Sequence, residues 1–108
     1  MLRCKDGSIY TGITTDLSRR MAEHFSKGGA AAKYTRSHDP LKLEAAWQSA
    51  GRSLAGKLEA GIKRLPKSKK EKLIKGEIGL DAIGGIDSSE YSGVIRNFRS
   101  AVSANEKH

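Results

Sequence analysis

The feature that most constrains this fold is a turn signal a few residues from the N-terminus. Asp6 and Gly7 stand between two short runs, residues 1–4 and 8–14, that are partly β-branched. An Asp-Gly pair between such runs is typical of a β-hairpin, because glycine readily adopts the positive φ that a tight turn requires. The sequence therefore predicts that the chain opens in a hairpin.

The hairpin is followed by a segment whose apolar residues recur at helical spacing. Leu17, Met21 and Phe25 are four residues apart and therefore lie along one side of a helix. The glycines at positions 28 and 29 favour a helix end there. The pattern predicts an amphipathic helix that begins near Asp16, with this apolar side facing the core.

Further along, the chain alternates between strand and helix signals. Residues 41–47 read as a third strand, and an apolar stripe over residues 53–65 predicts a second helix that Pro66 stops. Residues 68–75 predict another short helix. Together these elements predict an α/β (α+β) fold in which a small three-stranded antiparallel sheet is flanked by helices.

The last third of the chain has a different composition. We expect a domain over residues 1–75 and a C-terminal extension over residues 76–108, with an amphipathic helix at about 88–103. The apolar stripe of this helix consists of Tyr91, Val94, Ile95, Phe98 and Val102. Such a stripe needs a surface to cover, so we expect the helix to pack back on the domain or to form a dimer contact.

Charge points to a polyanionic partner. Lysine and arginine total 20 against 12 acidic residues, which gives a net charge of +8 and a pI near 9.8. Residues 1–75 contain 17 of these basic side chains, so the basic surface belongs to that part.

The lone Cys4 cannot form an internal disulfide, and no cysteine and histidine cluster has zinc spacing. With no apolar run long enough for a membrane span, we expect a cytoplasmic protein without a membrane partner.

Two helical sites have the residue types that phosphate chemistry needs. Arg20 and His24 are four residues apart and therefore project from the same side of the helix. A guanidinium can neutralise phosphate charge, and an imidazole can transfer a proton near neutral pH. Glu59 occupies a flank of the second helix, where a carboxylate can hold a hard divalent cation. The simpler interpretation is a solvated helix flank for the first pair, and a surface ion pair with Lys63 for Glu59.

Tyr10 follows Ile9 on the second strand of the hairpin. Because side chains alternate along a strand, Tyr10 faces away from the core if Ile9 and Thr11 face towards it. Gly12 then leaves room for a backbone or a ligand to approach the face that carries Tyr10.

Taken together, residues 6–24 closely resemble the second strand and first helix of the GIY-YIG nuclease family, with Tyr10-Thr11-Gly12 in place of the Tyr-Ile-Gly triplet. Residues 28–37 resemble the small single-domain bacterial branch of that family. Residues 58–63 match the helix that carries the family's metal-binding glutamate. The resemblance covers about residues 1–75 and rests on several short matches in the right order.

The resemblance implies hydrolysis of a DNA strand with the help of one divalent cation. Carried over residue by residue, it implies that Tyr10, Arg20 and His24 are catalytic and that Glu59 ligates magnesium or manganese. Arg20 would stabilise the charge of the transition state, and either Tyr10 or His24 would activate water. The sequence does not choose between these two bases.

The resemblance and the charge together predict a DNA partner, which we expect to be branched or damaged DNA. The candidates for contacts with its phosphate backbone are Lys33, Tyr34, Arg36, Lys42 and the basic cluster over residues 63–72, which includes Lys63, Arg64 and Lys67. For any one of them the alternative is a solubilising surface charge.

One departure from the family pattern bears on activity. The family's Gly-Ile-Tyr element precedes the triplet at Tyr10, on the first strand, and residues 1–4 supply only the end of that strand. We therefore expect the first motif tyrosine to be missing. Three functions stay open: an active endonuclease, a catalytically impaired nucleic-acid-binding module of the same fold and, with the least support, a protein-interaction domain.

Overall fold

A computed structural model describes residues 1–26 and 37–94 of the chain. It divides into two compact units, residues 1–44 and residues 45–108. The described elements are, in order, β1 (Leu2–Cys4), β2 (Ile9–Tyr10), α1 (Leu17–Ser26), β3 (Pro40–Leu43), β4 (Trp47–Ser49), α2 (Arg52–Lys63), α3 (Lys67–Lys75), two short 3₁₀ turns (Leu80–Ala82 and Ser88–Glu90) and β5 (Tyr91–Gly93). The three helices and the small antiparallel sheet confirm the predicted fold class.

The first unit is built on a three-stranded antiparallel sheet with the order β2-β1-β3. The predicted hairpin is present, and Gly7 adopts a φ of 88° in its turn. Leu2 lies opposite both Tyr10 and Leu43 in the register. Directly opposed residues of antiparallel strands point to the same side, so these three side chains share one face of the sheet.

The predicted third strand is divided between two sheets. β3 ends at Leu43 and pairs with β1, whereas β4 begins at Trp47 and pairs with β5 in the second unit. Leu41 is the extra residue of an irregularity opposite β1 and is 51% exposed. The prediction of one strand was wrong here because an apolar run indicates burial and does not reveal which strand the backbone pairs with.

Helix α1 begins after Asp16, whose carboxylate accepts a hydrogen bond from the backbone N–H of Arg19 at 3.0 Å and so satisfies the helix end. Leu17 and Met21 of the predicted apolar side are half-buried, but the last turn differs from the prediction. Phe25 is 48% exposed, while His24 is only 1% exposed. Positions seven and eight residues after Leu17 both fit a helical repeat, and the packing of the unit selects the histidine.

The second unit has a core of aliphatic side chains from its helices and the segment that follows them. Leu58 and Ile62 of α2, Leu73 of α3, and Leu80 and Ile83 are all buried. The second predicted helix is confirmed to within two residues at each end.

The predicted helix at about 88–103 is wrong in its first part. Ser88–Glu90 form a 3₁₀ turn, and Tyr91–Gly93 form strand β5, which pairs with β4. The Tyr91 hydroxyl donates to the carbonyl oxygen of Leu54 at 2.7 Å. These long-range bonds outweigh the local helical pattern. Residues 95–103 lie outside the described residues, as do three of the five stripe residues, so the dimer contact and the domain boundary at residue 75 stay predictions.

Gly61 of α2 is required by close packing. A Cβ atom at this position would lie 2.8 Å from Cγ2 of Ile83, a buried and χ1-restricted side chain. We expect Gly61→Ala to lower the free energy of unfolding by up to about 2 kcal/mol, because overpacking exceeds the gain in helix propensity. Gly56→Ala on the same helix is the control, since nothing lies within 4 Å of its added Cβ, and it should stabilise. Urea unfolding checks both, and equal stabilisation would contradict the packing argument.

Candidate active site

Tyr10 lies on the sheet face that carries Leu2 and Leu43, the opposite of the orientation expected from Ile9. Its ring extends along the strand over Gly12. A Cβ atom on Gly12 would lie 2.7 Å from the Tyr10 hydroxyl oxygen and 2.9 Å from its Cε2 atom. The room that the sequence assigned to a backbone or a ligand is therefore used by the Tyr10 ring.

Three predicted catalytic residues come together in the first unit. Nη2 of Arg20 donates a hydrogen bond to the Tyr10 hydroxyl oxygen at 3.4 Å. The rings of Tyr10 and His24 meet edge to face, with centroids 5.1 Å apart and an interplanar angle of 60°. The strand and α1 thus place a phenol, a guanidinium and an imidazole in one cluster, which we call the Tyr-Arg-His cluster.

Electrostatics in this cluster keep the imidazole neutral near pH 7. Burial, followed by the positive charge of Arg20, lowers the pKa of His24 below its usual value of 6.5, and Glu23 acts in the opposite direction. Glu23 also holds Arg20, with its Oε1 atom 3.7 Å from Nη1. Glu23 was not predicted, although its spacing of three residues from Arg20 is the signal that indicates such a pair.

Glu59, the predicted metal ligand, belongs to the second unit. Its side chain on α2 is 25% exposed, and its Oε2 atom lies 3.6 Å from Nζ of Lys63. The surface pair that was the simpler interpretation is therefore present. Within residues 1–26 and 37–94, no group of three or more histidine, cysteine, aspartate or glutamate side chains could hold a metal ion. The metal-binding role of Glu59 stays a prediction.

The predicted DNA contacts fall in several places. Lys33, Tyr34 and Arg36 lie outside the described residues. Lys63, Arg64 and Lys67 are exposed in the second unit. Lys42 is also exposed, but it lies opposite Arg3 in the register and therefore on the other sheet face from Tyr10.

A buried carboxylate, Glu44, forms ion pairs with Arg3 and Lys42 that were not predicted. Nε of Arg3 donates to Oε2 of Glu44 at 3.1 Å, and Nζ of Lys42 lies 3.8 Å from Oε1 of the same carboxylate. Buried carboxylates require such partners. Part of the Lys42 charge is thus compensated within the unit.

Gly12 provides a test of whether the position of Tyr10 matters for activity. We expect Gly12→Ala to push the Tyr10 ring away from Arg20 and His24. If these residues carry out the DNA nicking that the resemblance implies, the displacement should reduce nicking by about tenfold to a hundredfold. The variant should keep its circular dichroism spectrum. Gly84→Ala, where nothing lies within 4 Å of the added Cβ, is the control. Equal activity of the two variants would mean that this placement is irrelevant.

A three-stranded antiparallel sheet and a covering helix give the first unit a small α/β fold, which is consistent with the nuclease-like class. Comparison with known proteins agrees, because the GIY-YIG catalytic domain matches residues 1–72. The chain belongs to the GIY-YIG family. No solved structure matches it.

Several bacterial relatives are similar over most of their length. A UPF0213 protein of Fusobacterium nucleatum is 50% identical over 74 residues, which are 68% of this chain and 72% of the relative. A UPF0213 protein of Halalkalibacterium halodurans is 46% identical over 74 residues, 68% of this chain and 77% of the relative. One of Cronobacter sakazakii is 41% identical over 83 residues, 77% of this chain and 85% of the relative. The names of these relatives do not state a reaction.

Helix length also bears on the expectations about membranes. Among the helices of the described ranges, none is long and apolar enough to cross a membrane.

Proposed function

We propose that this protein is a metal-dependent endonuclease that hydrolyses phosphodiester bonds of DNA. Its membership of the GIY-YIG family indicates a nuclease and implies nucleic-acid binding. The observation that carries the specific proposal is the Tyr-Arg-His cluster, in which three groups suited to phosphate chemistry lie in contact.

The reaction needs a base and a positive charge. The oxygen of a water molecule forms a bond to phosphorus, the ester bond to the leaving oxygen breaks, and the proton of the water passes to a base. Negative charge increases on the non-bridging oxygens during the attack. Arg20, held by Glu23 and by the Tyr10 hydroxyl, offers a guanidinium that stabilises this charge by hydrogen bonds.

His24 and Tyr10 are the two candidates for the base. The lowered pKa of His24 leaves its imidazole neutral at pH 7, which is the form that accepts a proton. The Tyr10 hydroxyl receives a hydrogen bond from Arg20, so the same cluster also orients the phenol. Of the two, we propose His24 as the base and Tyr10 as a group that orients Arg20.

The chemistry of Glu59 fits a hard divalent cation. Magnesium in proteins is commonly held by one or two carboxylates, with waters and substrate phosphate oxygens as the other ligands, so a site with a single carboxylate suffices. Glu59 is partly exposed and offers such an oxygen donor. When bound, magnesium or manganese would polarise the phosphate and stabilise the leaving oxygen.

A second candidate is a nucleic-acid-binding module that does not cleave. It is supported by exposed basic side chains in the second unit, among them Lys63, Arg64 and Lys67, which suit phosphate contacts and take no part in the cluster.

A nicking assay separates the two functions. The protein is incubated with supercoiled plasmid in magnesium, in manganese and in excess EDTA. We expect nicking with either metal and none in EDTA, and Arg20→Gln should reduce the rate by about 10²–10³-fold, as loss of a donor to a developing oxyanion does. Nicking that survives EDTA would overturn the metal dependence, and DNA binding without nicking would select the second candidate. Branched and linear duplexes compared in the same assay test the expected preference for branched DNA.

A further inference from the structure

Helix α3 has an unusual concentration of charge. Its nine residues, Lys67–Lys75, include five lysines and one glutamate. The glutamate, Glu71, lies 3.9 Å from Nζ of Lys67. Lys69, Lys72 and Lys75 are exposed. They are spaced three residues apart and therefore form one slanted row on the helix surface, which we call the lysine row.

This charge pattern serves the stability of the helix only in its last turn, where Lys72 and Lys75 suit the helix dipole. Lysines at neighbouring turns repel one another, and those near the start of the helix oppose the dipole, which favours acidic residues there. The first turn contains no acidic residue. The helix is held by the burial of Leu73 and by Gly76, whose left-handed φ of 80° closes the C-terminal end. The mutual repulsion of these lysines is thus a cost to the fold that a polyanionic partner would offset.

The composition of α3 indicates which partner fits. A lysine ammonium is a flexible point charge that suits phosphate oxygens, and adjacent residues of the row are about 5–6 Å apart at Cβ, so each ammonium can reach a different phosphate. The helix contains no arginine, whose rigid planar fork makes specific paired contacts, so its cations are flexible point charges only. Such a surface positions a duplex without reading its sequence.

We propose that the lysine row binds the sugar-phosphate backbone of duplex DNA, independently of base sequence, and supplies affinity and not chemistry. The choice of DNA as the polyanion rests on the proposed function. The row shares Lys69 and Lys72 with the predicted basic cluster over residues 63–72 and adds Lys75, and it assigns them a role in binding that is separate from the Tyr-Arg-His cluster.

The test measures binding without cleavage. A short fluorescent duplex is titrated in EDTA at several salt concentrations with the wild-type chain and with the triple variant K69Q/K72Q/K75Q. Each lost phosphate contact lowers the slope of log K against log salt by about 0.9, so we expect the slope to fall by about 2 to 3 and Kd to rise at least about tenfold near 0.1 M salt. Two duplexes of unrelated sequence should lose equal affinity.

A matched control removes the same charge elsewhere. K5Q/R52Q/K57Q also lowers the net charge by three at exposed positions and should change Kd by less than about threefold. K69R/K72R/K75R keeps the charge and should bind like the wild type, and a thermal melt confirms that each variant is folded. The proposal would be overturned if the lysine-row variant kept the wild-type Kd and slope, or if the control lost as much affinity for DNA. The row would then bind a different partner, such as an acidic protein.

The outcomes for the two proposals are distinguishable. At saturating DNA the lysine-row variant should nick plasmid at the wild-type kcat with a raised KM. A wild-type chain that never nicks but shows the expected loss of affinity on removal of the row would refute the nuclease and support this inference. A chain that nicks DNA with a KM and a salt slope unchanged by removal of the lysine row would support the nuclease and refute this inference.

Discussion

Glu59→Gln is expected to reduce plasmid nicking in magnesium or manganese by about 10²–10³-fold, the loss that follows when a metal ion no longer offsets several kcal/mol of transition-state charge. Glutamine has the shape of glutamate but lacks the negative charge that a hard cation needs. Binding of duplex DNA in EDTA should stay within about twofold, because the substitution removes no cation. Raising the metal concentration should recover part of the activity.

The structure lets a metal-binding role be separated from a structural one. Oε2 of Glu59 lies 3.6 Å from Nζ of Lys63, and the two side chains form an ion pair between successive turns of α2. Such exposed pairs contribute about 0.3–0.5 kcal/mol, so Glu59→Gln should hardly change the urea unfolding curve. Glu77→Gln, at an exposed position of the second unit, is the matched control and should nick normally. Unchanged nicking by Glu59→Gln would mean that Glu59 forms its surface pair with Lys63 and holds no catalytic metal.

His24→Gln is expected to lower the nicking rate by about 10²–10⁴-fold and to remove the acid limb of the pH–rate profile, as loss of a general base does. In the wild type the rate should fall below pH 6.5, because the pKa of His24 is lowered by burial and by Arg20. Tyr10→Phe keeps the ring against His24 and removes the hydroxyl. It should slow nicking but retain the acid limb, and an acid limb lost in Tyr10→Phe and kept in His24→Gln would reverse the two roles.

Stability provides a second readout of the same histidine. Since the folded pKa of His24 is lowered, the unfolded chain takes up a proton at a higher pH than the folded chain does. The contribution of neutral His24 to stability is therefore complete above about pH 6.5 and is lost as the pH falls from there towards the folded pKa. Urea unfolding at pH 7.5 and pH 5.5 should show a larger drop for the wild type than for His24→Gln. All other side chains are the same in the two proteins, so the difference isolates His24.

Much of the local structure of this protein follows from its sequence. The Asp6-Gly7 turn predicted the hairpin, and helical spacing together with Pro66 predicted α2 nearly to its ends. These features depend on backbone conformations that a few neighbouring residues determine. The identities of the cluster residues came from the resemblance of short motifs, and the structure brings Tyr10, Arg20 and His24 together.

What the tertiary structure decided is which side of each element is covered. The repeat in α1 allowed Phe25 as readily as His24, and the alternation in β2 allowed Tyr10 on either face. Pairing with Leu2 placed the half-buried tyrosine on the face that carries Leu2, and packing of α1 buried the histidine against it. Likewise, residues 91–93 became a strand because Trp47 and its neighbours offered a backbone partner. Spacing along the chain determines what an element can present, but burial and pairing depend on residues far away in sequence, and only the folded chain brings those residues together.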